Sequence, residues 1–459
     1  MIFGEVKNMA VISVEKLSEA GNHHRLDAEF YQPQYFIDFS KGKWEPIKKF
    51  LDVCQYGISQ SMIEEHKGYP IFRMDDIKDC FLLDDEVKYI EIPEQVFKQF
   101  KLEINDVLFN RVNAEEFVGR TGIFKLKGDY VFASYLIRLR VKRKSKILPD
   151  YLNIFLNTKF GKKQIRRFSR RAVNQANVNA EELMNFKIAV IPIEIQKEIS
   201  RLSNEAWQKI KLSKSFYSQA ENLLLEILGL KDFKPKYELS YTANLSKAYT
   251  AHRIDAEHFQ VAYDQVIKMI LNYQNGYTKL LSCVEDIRPD FDPAKYPNKT
   301  FSYIELADVD TSIGIIHSAG EIKGEEAPSR ARRILRKDDV IVSSVEGSLE
   351  KVALVSKEYE GSLASTGFFQ FRPRNILPAV LLVLSKSIVI QMQLKKECAG
   401  TILTAVPNES LKKILVPIIP DKTQQKIDSL VQQSHEARRK AKYLLEEAKR
   451  KVEEAIENG

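Results

Sequence analysis

The residues best suited to chemistry form a basic cluster in the segment GKKQIRRFSRRAVNQAN at 161–177. Lys and Arg side chains at this density suit contacts with phosphate oxygens, and an aromatic residue, Phe168, stands among them. A solvated helix face is the alternative interpretation of the same charges. The candidate phosphate ligands are Lys162, Lys163, Arg166, Arg167, Arg170 and Arg171.

A second group of polar residues could contact base edges, because Arg pairs well with guanine, and Asn or Gln with adenine. The second half of the chain has a similar charge in PSRARRILRK at 328–337, although not at a corresponding position, and there the candidates are Arg330, Arg332 and Arg333. The candidates in the first half stand at expected strand ends and loops: Asn110, Arg111, Asn113, Arg120, Asn174, Gln175 and Asn177.

No familiar arrangement of catalytic residues can be recognised. The sequence contains no Walker A loop, no HExxH motif and no Gly-rich dinucleotide fingerprint. The run DDEVK at 84–88 is better explained as a charged strand edge than as part of a nuclease site, and His24 and His252 are interpreted as structural. We therefore expect a protein without catalytic activity of its own, and without a cofactor or metal.

The composition indicates packed domains rather than disorder, since 44% of the residues are hydrophobic, and 459 residues exceed one ordinary core. A formal net charge of +8 favours a polyanionic partner. No signal peptide is recognisable, and the most apolar run, at 376–390, is too short to span a bilayer, so we expect a cytoplasmic protein. The cysteines have no close pair that would indicate a disulfide framework or a CxxC metal site: Cys54, Cys80, Cys283 and Cys398.

The elements that would position these residues are written twice along the chain. HRLDAEFYQPQY at 24–35 returns as HRIDAEHFQVAY at 252–263, an offset of 228 (252 minus 24). Between the ends of each half the offset drifts, because NDVLF at 105–109 faces DDVIV at 338–342, an offset of 233 (338 minus 105). Later pairs return to 228: Val178 and Val406, Leu183 and Leu411, Pro192 and Pro420, Gln196 and Gln424, Ile199 and Ile427, Leu202 and Leu430.

Each half ends in a pattern typical of a long helix, because apolar or small residues recur at spacings of three and four. Each segment of roughly 33 residues would form about 50 Å of helix. A helix with one narrow apolar stripe must bury that stripe, and we expect the two helices to pack against each other. The expected stripe positions are Ile199, Leu202, Ala206, Ser213, Phe216, Ala220, Leu223 and Ile227, then Ile427, Leu430, Ser434, Ala437, Ala441, Leu444 and Ala448.

The bodies that precede these helices, 38–195 and 264–423, are predicted to be mixed α/β. Short β-rich runs alternate with loops, and a helix is expected near PDYLNIFLNTKFGKKQIRRF at 149–168. Each body ends where proline follows an apolar run, because proline blocks a central strand but is tolerated in the first turn of a helix. The predicted segments are a first domain with its lead-in at 1–195, a helix at 196–235, a second domain with its lead-in at 236–423, and a helix at 424–459.

This duplicated order resembles the specificity (S) subunit of type I restriction-modification enzymes. The resemblance covers nearly the whole chain and rests on the motif of Pro, Gln and Ile in VIPIEIQKEI and VPIIPDKTQQKI. RLDAEFYQPQY is similar to the segment that leads into the first target-recognition domain in that family. The first copy of the motif lacks the three-residue-longer loop of the second, which puts only the local turn in doubt. The resemblance implies two tandem mixed α/β target-recognition domains, whose long helices pair as an antiparallel coiled coil with pseudo-twofold symmetry.

The resemblance also implies a function. Each domain would read one half of a bipartite site in double-stranded DNA, and the helices would separate the halves by on the order of 15 base pairs. Two modification (M) subunits would bind S-adenosylmethionine and methylate adenine, and restriction (R) subunits would add ATP-driven translocation and cleavage. This sequence has no Asn-Pro-Pro-Tyr-like tetrapeptide of its own.

Two other functions remain open at this point. A duplicated coiled coil could recruit protein partners in a scaffold that never contacts DNA. A stand-alone DNA-modifying enzyme is the second alternative, and the missing catalytic motifs argue against it.

Overall fold

The computed structural model describes residues 25–172, 175–400 and 404–458. The chain divides into two compact units. The first comprises the chain up to Ile210 together with residues from Arg439 onward, and the second comprises Lys211–Arg438. Each unit contains both sheets and helices, which confirms the predicted mixed α/β class.

The first unit is built from short strands in several sheets. Its strands are β1 (Trp44–Pro46), β2 (Leu51–Tyr56), β3 (Tyr69–Phe72), β4 (Ile77–Lys78), β5 (Phe81–Leu82), β6 (Lys88–Ile90), β7 (Val107–Asn110), β8 (Val112–Asn113), β9 (Thr121–Ile123), β10 (Val131–Phe132), β11 (Leu136–Val141), β12 (Arg170–Ala172), β13 (Gln175–Asn177) and β14 (Lys187–Ala189). The largest sheet has the order β2-β11-β7-β9-β5-β4, with β11 antiparallel to both of its neighbours. Smaller sheets have the orders β10-β3-β6, β12-β13-β8 and β1-β14.

The short helices of the first unit cover these sheets. They are α1 (Glu94–Phe100), α2 (Pro149–Leu156), α3 (Lys159–Phe168) and α4 (Ala180–Asn185). The segment predicted as one helix over 149–168 forms two, because the chain turns sharply after α2, and Thr158 caps the next helix with its side-chain oxygen. A side chain at Gly161 would have no room, since its Cβ would lie 2.5 Å from the carbonyl oxygen of Leu156. The basic segment therefore forms a helix of its own, α3, after the buried α2.

The second unit is also built from short strands in several sheets. Its strands are β15 (Tyr277–Lys279), β16 (Val284–Asp286), β17 (Thr300–Ile304), β18 (Val309–Asp310), β19 (Ile315–Ile316), β20 (Gly320–Lys323), β21 (Ala331–Ile334), β22 (Val340–Ser343), β23 (Val352–Leu354), β24 (Leu363–Ser365), β25 (Phe368–Pro373) and β26 (Leu415–Pro417). The largest sheet has the order β16-β25-β22-β23-β19-β18, which matches the order in the first unit strand for strand. The other sheets have the orders β20-β17-β24-β21 and β15-β26.

Long helices run through the ends of both halves of the sequence, and shorter ones cover the second unit. The helices after α4 are α5 (Ile193–Ile227), α6 (Leu245–Ala251), α7 (Val261–Leu271), α8 (Leu280–Cys283), α9 (Pro378–Lys386), α10 (Ile388–Glu397) and α11 (Asp421–Glu457). Among the described residues, no single helix has the length and hydropathy needed to cross a bilayer. Only α9 and α10 taken together, bent by 61°, pass such a test.

The buried seams of α5 and α11 follow a strict heptad spacing. In α5 every seam residue is at most 1% exposed, and in α11 at most 5%. The two seams correspond position by position at the offset of 228 found in the sequence. The seam residues are Ile199, Ser203, Ala206, Ile210, Ser213, Tyr217, Ala220 and Leu224, then Ile427, Val431, Ser434, Arg438, Ala441, Leu445, Ala448 and Val452.

The predicted stripe was wrong in part. Phe216, Leu223 and Ile227 are only half-buried, while Tyr217 and Leu224, one position further on, lie in the core of the second unit. Apolar type alone favours Phe216, whereas the 3.5-residue spacing that continues from Ile210 selects its neighbour. In such a seam, position matters more than hydrophobicity.

Candidate nucleic-acid interface

Three strands of the first unit meet at one edge of its large sheet, where β2 and β7 end and β11 begins. Tyr56 is paired with Ile137, and Asn110 with Leu136, so the carboxyl ends of β2 and β7 meet the start of β11. The backbone at Gly57 passes very close to the segment that contains Ala133, since a Cβ on Gly57 would lie 2.3 Å from the carbonyl oxygen of Ala133. This close approach requires glycine, and it fixes the position of the preceding residue, Tyr56.

A small three-stranded sheet lies beside this edge and carries several of the predicted base readers. In the pairing of β12 with β13, Arg170 stands opposite Asn177, and Ala172 stands opposite Gln175. Ala176 is buried, and because side chains alternate along a strand, Gln175 and Asn177 point to the opposite face, where both are exposed. Arg170 is also exposed, at 62%. One polar face therefore carries Arg170, Gln175 and Asn177 together.

Arg111 links this face to the sheet edge. Its Nε donates to the carbonyl oxygen of Ser134 at 2.9 Å, its guanidinium lies over the ring of Tyr56 at 4.9 Å, and its Nη1 lies 3.5 Å from Oδ1 of Asn177. Tyr135, next along the chain, is 47% exposed, and its carbonyl oxygen accepts the N–H of Arg111. We call the following residues the recognition patch: Tyr56, Arg111, Tyr135, Arg170, Gln175 and Asn177.

The basic helix α3 divides its side chains between solvent and structure. Lys162 is exposed and Lys163 is half-buried, so both are available to an anion. Arg166 lies 3.7 Å from Glu115. Arg167 differs from the prediction, because its guanidinium lies 4.4 Å from the ring of Phe30, and its Nε donates to the carbonyl oxygen of that residue. It ties the lead-in segment to α3, so we revise its predicted phosphate contact to a structural role.

Other predicted site residues are distributed differently. Asn110 is fully buried, and its Nδ2 donates to the carbonyl oxygen of Phe117, so it presents no group to a base edge. Asn113 is half-buried in β8, and Arg120 is exposed and stacks on Phe117 at 4.0 Å. Arg171 lies in β12. Asn174 and His24 lie outside the described residues.

The basic residues predicted in the second unit do not form an equivalent patch. They lie in or beside β21, a strand of a different sheet. Arg333 is 3% exposed and donates to the carbonyl oxygen of Ile287, which corrects its predicted DNA contact to a structural one. Arg332 is paired with Asp292 at 2.9 Å, while Arg330 is 66% exposed.

The repeated phrase near the start of each half forms a clip that sequence reasoning did not foresee. Arg25 donates through Nε and Nη2 to the two oxygens of Asp27, and through Nη1 to the carbonyl oxygen of Phe168, the last residue of α3. The hydrogen bond from Arg25 lowers the pKa of the Asp27 carboxyl below its usual value. The clip thus fixes the last residue of α3, which lies two positions before Arg170 in β12. The second unit has the same clip, made of Arg253, Asp255 and the carbonyl oxygens of Lys396 and Cys398.

Residues 41–215 of the chain match the family model of the type I restriction modification DNA specificity domain. The chain is 30% identical over 185 residues to a protein of Methanocaldococcus jannaschii named as the MjaX type I restriction enzyme specificity subunit, which is 39% of this chain and 43% of that protein. It is 25% identical over 174 residues to the EcoKI specificity subunit of Escherichia coli, covering 37% of this chain and 36% of the relative. The matches span less than half the length of either curated relative.

A solved structure, the S subunit of a type I restriction-modification system from M. genitalium, resembles the chain with a TM-score of 0.44 at 12% identity, over 92% of this chain and 98% of that one. The family match covers β1 to β14 and the first part of α5, and so includes the whole recognition patch. The resemblance predicted from the sequence is therefore confirmed: over residues 41–215, this chain is similar to the DNA specificity domains of type I restriction-modification enzymes.

Proposed function

We propose that this chain is a DNA-reading specificity subunit, which recognises a bipartite site in double-stranded DNA and carries no catalysis of its own. The observation that carries the proposal is the recognition patch, an exposed face with arginine, amide and tyrosine side chains, within the segment that matches a DNA specificity domain. Within the patch, Arg111 and the amide groups would read base edges, while Arg170 and the nearby lysines would bind phosphates. Each unit would contact one half-site.

The proposal includes two tandem modules. It is supported by the shared order of the largest sheets, by the repeated clips, and by the seams of α5 and α11 at one offset. The domain limits proposed from the sequence fall after residues 195, 235 and 423. Modification subunits, two per chain, would supply methylation, and restriction subunits would supply cleavage. These partners follow from the resemblance.

We also propose that α5 and α11 pair as an antiparallel coiled coil. In the first unit, Lys451 lies 3.7 Å from Glu198, while Glu198 and more weakly Glu447 raise the pKa of Arg201. A residue further along α5 is thus matched with a residue earlier in α11, as in an antiparallel pair. In the second unit, the hydroxyl of Ser434 donates to the carbonyl oxygen of Ser213 at 2.7 Å. Both serines are fully buried, and a buried polar contact of this kind favours one register.

Footprinting tests the bipartite site. The full chain, assembled with modification subunits, is expected to protect two short stretches of duplex that flank an unprotected spacer. Changing the spacer sequence should leave binding unchanged, whereas changing its length should weaken binding. Failure of the assembled complex to prefer any duplex sequence would favour the scaffold function instead. A single continuous footprint would contradict the bipartite arrangement.

The cations of α3 and β12 should set the salt dependence of binding. Replacing Lys162, Lys163 and Arg170 by alanine is expected to reduce the slope of log Kobs against log salt by about 2–3, since each lost phosphate contact removes about 0.9. Binding to all sequences should weaken together, because phosphates carry no sequence information. A salt titration with specific and unrelated duplexes measures both effects.

The matched control replaces three exposed lysines on other elements of the same unit, Lys67, Lys98 and Lys197, each more than 60% exposed. This variant removes the same charge but should keep the slope of the unchanged protein. Equal slopes for both triple variants would show that α3 and β12 contribute only through net charge.

A further inference from the structure

Arg111 is held in a way that an ordinary surface arginine is not. Its backbone N–H donates to the carbonyl oxygen of Tyr135, and its own carbonyl oxygen accepts the N–H of Val178. Its side chain is fixed by Ser134, Tyr56 and Asn177, as described above. Tyr56 is itself anchored, because its hydroxyl accepts the N–H of Ala180 at 2.8 Å. The guanidinium is therefore oriented before any ligand arrives.

This orientation leaves one edge of the guanidinium for a ligand. Nε is used by Ser134, one hydrogen of Nη1 points toward Asn177, and no described residue accepts a hydrogen bond from Nη2. The remaining N–H groups form a fork, which matches two acceptors side by side. In the major groove, O6 and N7 of guanine present that pair, and bidentate contact of arginine with guanine is the commonest specific contact. A fixed fork also loses less conformational entropy on binding.

The second unit has the same backbone arrangement with different side chains. Ser344 donates its N–H to the carbonyl oxygen of Gly367, and its own carbonyl oxygen accepts the N–H of Val406, as Arg111 does with Tyr135 and Val178. Ser344 is 9% exposed, and its hydroxyl donates to the carbonyl oxygen of Gly367 at 3.0 Å, so it turns inward.

The partner of Arg111 is also replaced. Ala405 pairs with Val345 where, in the first unit, Asn177 pairs with Val112. The second unit therefore lacks the arginine fork and its amide partner at these positions. The two units cannot read DNA in the same way at this point of the fold.

From these contacts we infer that Arg111 reads one guanine in the half-site of the first unit, and that the half-site of the second unit has no equivalent guanine contact. The inference rests on the proposed function and specifies its base readout. Tyr56 and Asn177 act as positioning residues, which orient the fork rather than read a base of their own. For Asn177 this replaces the adenine contact expected from its residue type.

The test is binding selection with a randomised duplex library, using the full chain assembled with its modification subunits, followed by sequencing. Arg111→Ala is expected to reduce the preference for guanine at one position by about 10- to 100-fold, and to leave every other preferred position unchanged. Arg111→Lys keeps the charge but loses the planar fork, so it should lose most of the same preference. The control is Arg143→Ala, an exposed arginine outside the patch, which should retain the full pattern.

The outcomes separate this inference from the proposed function. If the unchanged protein selects a bipartite site but Arg111→Ala weakens binding to all sequences equally, Arg111 contacts phosphate and the inference is wrong. A change in the second half-site, or full preference retained in Arg111→Lys, would also overturn it. If the unchanged protein selects no sequence, the proposed function itself fails. Fluorescence of Trp44 and Trp207 verifies that each variant remains folded.

Discussion

Replacing Asp106 by alanine is expected to lower the free energy of unfolding of the first unit by about 3–5 kcal/mol, because it leaves buried arginine charge without its anion. The carboxylate is 1% exposed and accepts from Nε and Nη2 of Arg140, both at 2.7 Å. It also accepts the backbone N–H of Glu103, and Nη1 of Arg138 lies 3.9 Å away. Burial already lowers the pKa of Arg138, whose side chain is 5% exposed.

The measurement is denaturant unfolding followed by tryptophan fluorescence. The two tryptophans of the chain, Trp44 and Trp207, both belong to the first unit, so the signal reports that unit. The control is Asp129→Ala, since Asp129 is 57% exposed and pairs with Lys101 at the surface, where a pair contributes less than about 1 kcal/mol. Similar losses for the two variants would mean that the buried carboxylate does not stabilise the unit.

This buried carboxylate also explains a feature of the sequence. Asp106 and Asp339 belong to the repeated NDVLF and DDVIV segments, and Asp339 accepts from Arg372 as Asp106 does from Arg140. Gln370 in the second unit donates to Asp339 near the place that Arg138 holds in the first. The repeated aspartate secures the start of β7 or β22 to the neighbouring strand of the same sheet, β11 or β25. A repeated charged residue inside an apolar run is therefore a sign of a buried pair.

The sequence predicted those parts of the fold that depend on local patterns. Proline followed by helix formers indicated the start of the long helices, and α5 begins at Ile193, directly after Pro192. Heptad spacing indicated a buried seam, although the apolar type of Phe216 led the prediction to place that residue in it instead of Tyr217. Such features follow from neighbouring residues along the chain, so one sequence is enough to recognise them.

The candidate site was harder to predict, because it depends on contacts between distant segments. Charge density alone could not distinguish Arg167, which binds Phe30, or Arg333, which is buried, from exposed Arg170. Tyr56 was missed, since a tyrosine at a strand end carries no local signal of function. Its role appears only because β2, β7 and β11 bring it against Arg111. Long-range strand pairing determines which arginines face solvent.

Replacing Gln196 by alanine is expected to cost about 2–4 kcal/mol of the stability of the first unit. The side chain is fully buried, and its Oε1 accepts the N–H of Leu148 at 2.8 Å. Its Nε2 donates to the carbonyl oxygens of Lys146 and Ile191, at 3.0 and 2.9 Å. Truncation to alanine leaves these backbone groups without a hydrogen-bond partner, and each buried group without a partner costs about 1–3 kcal/mol. The carbonyl of Lys146, an exposed residue, can be hydrated, which limits the total.

Gln196 and Gln424 both belong to the motif on which the family resemblance rests. The side chain of Gln424 accepts the N–H of Leu377 in the second unit, as that of Gln196 accepts the N–H of Leu148 in the first. In both units the glutamine fastens the first turn of a long helix to the residue before α2 or α9. The control is Gln208→Ala, on an exposed face of the same helix, which should change stability little. Tryptophan fluorescence reports both variants, and an unfolding midpoint of Gln196→Ala equal to that of the control would show that the motif is kept for a reason other than this fastening.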